Sequence, residues 1–129
     1  MADATPVADP GFLAGKRILV VEDEFFIVLD IERILEDAKV EIVGTSRNRD
    51  ALAALAGGRF DLAILDYKLS EATSEPVAEQ LTRLKVPFVF LTGASTQSVP
   101  PQYRTVPLVK KPFDGAALIA ALQKAIGRG

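Results

Sequence analysis

Short apolar runs alternating with longer stretches of helical period constrain this chain more than any other feature. In order they read RILVV, FFIVLDIERILEDA, EIVGT, RDALAALAG, DLAIL, EPVAEQLTRL, PFVFL, VPLV and DGAALIAALQKAI. Runs of four or five apolar residues suit strands, and the intervening segments repeat at helical spacing. Such alternation implies right-handed βαβ units and a parallel sheet, hence an α/β, doubly wound fold. Strands apolar on both sides require helices above and below.

Particular residues support the helices. Ile27, Ile31, Ile34 and Ala38 form one stripe, with Asp30, Arg33 and Asp37 outside it. In the last segment Asp114 is placed to cap the start, Leu118, Leu122 and Ile126 follow at four-residue steps, and Gly127 and Gly129 surround the end. Between PFVFL and VPLV the stretch GASTQSVPPQYRT has two adjacent prolines and no apolar period. A loop or at most one turn is expected there, so the fourth helix should be short or absent.

At 129 residues and 13.9 kDa the chain fits one core. Residues 1–15 are rich in Ala, Asp, Pro and Gly and are expected to be a flexible tail, with the fold occupying 16–129. Neither Cys nor His is present, which excludes disulfides, thiol catalysis, zinc sites and imidazole-based triads. A net charge of -2 argues against direct nucleic-acid binding. No apolar run approaches the roughly 18 residues of a membrane span, so no membrane insertion and a cytoplasmic location are expected.

In open α/β sheets, ligands bind beyond the carboxyl ends of the strands. Those ends carry Glu22-Asp23-Glu24, Asp66-Tyr67-Lys68, Thr92-Gly93 and Lys110-Lys111-Pro112. Singly, Asp23 is a helix cap, Asp66 a turn former, Thr92 a small strand-closing residue and Lys111 a solvated strand end. Together they place acids, a hydroxyl and an amine on one rim. Clustered carboxylates call for a divalent cation, and Mg²⁺ suits oxygen ligands. A carboxylate can also be the nucleophile that forms an acyl phosphate. Phosphoryl transfer then needs little beyond a metal, a cation and a hydroxyl, here Mg²⁺, Lys111 and Thr92.

The motifs ILVVEDE, LAILDYKL, FVFLTGAS and LVKKPF, in this order, resemble those of response-regulator receiver domains over about residues 16–127. The resemblance implies a flavodoxin-like, five-stranded sheet in order 2-1-3-4-5. It also implies that Asp66 is phosphorylated by a histidine kinase or a histidine phosphotransfer protein. Asp23, Asp66 and the Lys68 main-chain carbonyl would bind Mg²⁺, with Glu22 acting partly through water. Thr92 would swing toward the phosphoryl group, Lys111 would bridge its oxygens, and the Lys111–Pro112 bond would be cis. Such a protein is a regulatory phosphoacceptor that assists its own phosphorylation and dephosphorylation rather than an enzyme. It signals by docking a downstream effector protein.

Three departures qualify the resemblance. Leu108 stands where receivers commonly carry a switching Tyr or Phe. Only 18 residues, 93–110, separate Thr92 from Lys111. PFVFLTGAS is similar to the PFxFATGY-like segment of an alphaproteobacterial subgroup, often free-standing, but differs at Leu91 and Ala94-Ser95. Lys68 and Ala94 hold positions that, in the resembled family, flank the acyl phosphate; Lys68 is either solvated, or covers the phosphoryl group or pairs with Glu22. The segment Ala94 to Thr105 is expected to be the most mobile part of the fold and to reorder on phosphorylation.

A haloacid-dehalogenase-type hydrolase would need an acid at Lys68, and no glycine-rich phosphate loop follows the first strand. The remaining alternative is a receiver-like interaction module that works without phosphorylation.

Overall fold

The computed structural model describes residues 10–70, 72–93 and 99–128. Its strands are β1 (Arg17–Val21), β2 (Glu41–Thr45), β3 (Leu62–Asp66), β4 (Phe88–Thr92) and β5 (Leu108–Lys110). The α-helices are α1 (Phe25–Leu35), α2 (Asn48–Gly57), α3 (Glu75–Leu84) and α4 (Gly115–Arg128). All neighbouring strands are parallel, in the order β2-β1-β3-β4-β5. The chain leaves β1 toward β2 and then crosses to β3, so strand order reverses between β1 and β3.

Alternation along the strands divides the core between two faces. Ile18, Val20, Leu62, Ile64, Val89 and Leu91 pack with Ile31 and Leu35 of α1 and Leu118 and Leu122 of α4. Leu19, Val21, Ala63, Leu65, Phe88 and Phe90 pack with Leu55 of α2 and Val77 and Leu81 of α3. Every residue of β3 and β4 is buried, as two covered faces require.

Two expectations need correction. The packed unit begins before Lys16: Pro10–Leu13 form a 3₁₀ turn, and Leu13 is fully buried in the α1–α4 core with Phe12 packed against it. Gly15, at φ 79°, then turns the chain, and its amide donates to the Lys39 carbonyl at 2.9 Å. Residues 1–9 of the expected tail lie outside the described residues.

The second correction concerns helices. Among the described residues four are present, and the fourth along the chain, α4, which follows β5, is neither short nor absent but runs for 14 residues. Its start is capped by Asp114, whose Oδ1 accepts the Ala117 amide at 2.8 Å, and Leu118 and Leu122 are fully buried. Between β4 and β5 the described residues form a 3₁₀ turn, Pro101–Tyr103. Residues 94–98, including Ala94, lie outside them. Tyr103 is buried edge-to-face against Phe88 and Phe90, so this end of the crossover is packed rather than loose.

Candidate functional site

Sheet register assembles the rim. Val21 pairs with Leu65, so Glu22 and Asp23 leave β1 beside Asp66, the last residue of β3. Asp66 pairs with Leu91 and Thr92 with Lys110, which brings Thr92 and Lys111 to the same edge. Carboxylate oxygens of Glu22, Asp23 and Asp66 lie within 4.8 Å of one another. The Lys111 Nζ stands 2.9 Å from Glu22 Oε1, 3.2 Å from Asp66 Oδ2 and 3.5 Å from Glu24 Oε1. Beside them opens a cleft of about 520 Å³ whose lining includes Asp23, Asp66, Lys68, Ser70, Thr92 and Lys111.

Burial dominates the electrostatics. Glu22 and Asp66 are only 2% and 4% exposed. Loss of water raises the Glu22 carboxyl to about 7, although the Lys111 ammonium and the Glu24 amide both favour its charge. Burial likewise lifts Asp66 above the usual carboxylate range, against the pull of Lys111. Burial disfavours the Lys111 ammonium, but Glu22 and Asp66 outweigh it and raise its pKa. Asp23 is held low, chiefly because the Ser70 hydroxyl donates to it.

One ammonium thus touches three carboxylates, and two of the acids keep their charge at a cost. An added cation would remove that cost. The donor set is all oxygen, as Mg²⁺ prefers, and the cleft is open enough for the waters Mg²⁺ retains. The residues present therefore fit the ion.

The described residues of the loop after β3 are tied by several hydrogen bonds. Tyr67 donates its hydroxyl to Glu75 Oε2 at 2.7 Å, and its carbonyl accepts the Ser74 amide at 2.8 Å. Burial, with the Glu75 hydrogen bond, pushes the Tyr67 phenol up to about 12, so it stays protonated. Lys68 and Thr73 form an antiparallel bridge across the loop, with the Leu69 amide on the Ala72 carbonyl at 2.7 Å.

The response regulator receiver domain family matches residues 18–123. The chain belongs to this family. Among solved structures it is similar to SdrG from Sphingomonas melonis Fr1, at 38% identity and TM-score 0.78, covering 87% of this chain and 97% of that one. The BeF3-activated conformation of SdrG, attributed to Pseudomonas melonis Fr1, matches at 38% identity and TM-score 0.75, over 88% and 98% of the two chains. Among curated proteins, the transcriptional regulatory protein PdtaR of Mycobacterium tuberculosis is 28% identical over 95% of this chain and 62% of its own length. The phyllosphere-induced regulator PhyR of Methylorubrum extorquens is 29% identical over 85% and 43%. The chain therefore spans roughly half of these curated relatives, 43% to 62%.

As a receiver domain, the chain is a module of two-component signalling, and its candidate residues converge on one rim. Glu22, Asp23, Asp66 and Lys111 are in mutual contact or close to it, and Thr92, 5% exposed, borders the same cleft. The Thr92 carbonyl accepts the Lys111 amide at 2.8 Å, and the Lys111–Pro112 peptide is cis. Lys68 also lines the cleft, but its side chain is exposed and Glu22 pairs with Lys111 instead. Among the described residues, no helix is long and apolar enough to cross a membrane.

Two contacts escape sequence reasoning. Ser70 donates both its amide and its hydroxyl to Asp23 Oδ2, and Glu24 reaches Lys111. A serine in a loop carries no motif signal, and its partner lies 47 residues away. The acid at Glu24 was visible as part of the acidic run, but its direction depends on how α1 begins.

Proposed function

We propose that this receiver domain is a cytoplasmic phosphoacceptor that takes a phosphoryl group on Asp66 from a histidine kinase or a histidine phosphotransfer protein. It then signals by docking a downstream effector protein. The observation that carries this reading is the Lys111 ammonium held between Asp66 Oδ2 at 3.2 Å and Glu22 Oε1 at 2.9 Å, at the carboxyl end of a central strand. A buried acid in contact with a fixed cation and open to a cleft is arranged for chemistry on that acid. The BeF3-activated conformation known for SdrG, which shares 38% identity, supports an activated state for this chain as well.

In the transfer, an Asp66 carboxylate oxygen forms a bond to phosphorus while the bond from phosphorus to the donor's imidazole nitrogen breaks. The imidazole leaves with that electron pair. The Lys111 ammonium, already on Asp66, follows the charge onto a phosphoryl oxygen, and the Thr92 hydroxyl donates to another. Asp23, Asp66 and the Lys68 main-chain carbonyl, with Glu22 behind them, would hold Mg²⁺, which would supply positive charge at the phosphoryl group. The domain assists its own phosphorylation and the later hydrolysis of the acyl phosphate, so it is a regulator rather than an enzyme with a separate substrate.

Labelling with radioactive acetyl phosphate and Mg²⁺, read by intact mass, tests the assignment. One phosphoryl group should appear on the wild type and none on Asp66→Asn. Equal labelling of the two proteins would place the acceptor elsewhere.

A further inference from the structure

Ser70 lies in the loop after Asp66, among the residues that line the cleft, and makes its side-chain contact to Asp23. Its amide donates to Asp23 Oδ2 at 2.7 Å, and its hydroxyl donates to the same oxygen. Hydrogen bonds to an ionised carboxylate are about twice as strong as neutral ones. Two of them on one oxygen hold the Asp23 side chain in a single orientation and leave its Oδ1 clear of Ser70. The clamp is itself anchored: Leu69 is buried in the α2–α3 core, Lys68 bridges Thr73, and Tyr67 is tied to Glu75. These ties hold the partly exposed Asp23 carboxylate beside Glu22 and Asp66.

We propose that Ser70 is a positioning residue for the divalent-cation site, orienting Asp23 and joining the loop after β3 to the loop after β1. This inference rests on the proposed function, because it presupposes that Asp23 binds the cation. Groups that orient metal ligands in this way are worth roughly 10–100-fold in metal affinity. The hydroxyl is the removable half of the clamp, since Ser70→Ala keeps the amide bond.

The test is calorimetric titration of Mg²⁺ into wild type, Ser70→Ala and Ser70→Thr, with thermal unfolding of each in EDTA. Ser70→Ala should bind Mg²⁺ roughly tenfold more weakly, Ser70→Thr should return to within about threefold of wild type, and the EDTA midpoints should agree. Rescue by Thr separates orientation of Asp23 from a general loss of loop structure. Equal affinity in wild type and Ser70→Ala, tighter binding by Ser70→Ala, or failure of Ser70→Thr to restore affinity would overturn the role of Ser70. Absence of Mg²⁺ binding by the wild type would instead overturn the metal site of the proposed function.

Discussion

Replacing Glu22 with Gln measures the cost of crowding carboxylates at the rim. Glu22 is 2% exposed, and burial raises its carboxyl from 4.5 to about 7. A carboxyl with a raised folded value keeps its proton in the native state after the unfolded chain has released it. Between pH 4.5 and about 7 the native state therefore binds more protons, and stability falls as pH rises, levelling off above the folded value. At ~1.36 kcal/mol per pH unit, that interval amounts to roughly 3 kcal/mol. This is a large share of the ~5–15 kcal/mol by which small domains are stable.

Glu22→Gln removes the charge and keeps the shape, and Lys111 retains Asp66 at 3.2 Å and Glu24 at 3.5 Å, so no cation is stranded. Urea unfolding followed by circular dichroism in EDTA, at pH steps from about 5 to 8, should show the variant more stable by up to roughly 3 kcal/mol at the alkaline end. The two proteins should converge at the acidic end. Asp66, raised for the same reason, leaves a residual slope in the variant. Saturating Mg²⁺ should narrow the gap by neutralising the wild-type acids. Superimposable pH profiles, or a variant less stable at the alkaline end, would refute the argument that burial of Glu22 costs stability.

If Asp23 is a direct ligand, Asp23→Ala should weaken Mg²⁺ binding by at least roughly tenfold, and Glu22→Ala should do less. Titration calorimetry decides this, and equal affinity in wild type and Asp23→Ala would rule out Asp23 as a ligand. Leu13→Ala should cost ~2–5 kcal/mol in urea unfolding, because a fully buried Leu leaves a cavity. A loss below about 1 kcal/mol would show that the turn before β1 is dispensable.

How far the sequence revealed these features depends on the range of the interactions behind them. The alternation of apolar runs and helical stretches foretold the parallel sheet, because each run is a local pattern. Asp66, Asp23, Thr92 and Lys111 were legible because strand ends in a parallel sheet share one edge by topology. Leu13 was hidden: a single Leu in PGFLAG has no period, and its burial arises from α1 and α4 packing over it. The Ser70 clamp was hidden for a similar reason, since only the folded register brings a loop serine against an acid from another strand. The Pro100-Pro101 pair signals a turn, which Pro101 begins, yet prolines alone do not show that this turn is pinned by Tyr103.

That pin bears on how the two ends of the β4–β5 crossover differ. Receivers commonly carry an aromatic residue at the position of Leu108, which here is half-buried and pairs with Phe90 in register. The aromatic rings lie elsewhere. Tyr67, immediately after Asp66, stacks edge-to-face on Phe90 at 5.5 Å, and Phe90 contacts Phe88 at 5.4 Å and Tyr103 at 5.5 Å. Each such pair contributes ~0.5–1.5 kcal/mol beyond burial, and Tyr103 makes two of them. Releasing the Pro101–Tyr103 turn would therefore cost on the order of 1–3 kcal/mol in ring contacts, in addition to the exposure of Tyr103. At its other end the crossover leaves Thr92, whose carbonyl is bonded to the Lys111 amide and whose side chain borders the cleft. The contact between Tyr67 and Phe90 thus connects the end of β3 to the anchored turn through the α2–α3 core.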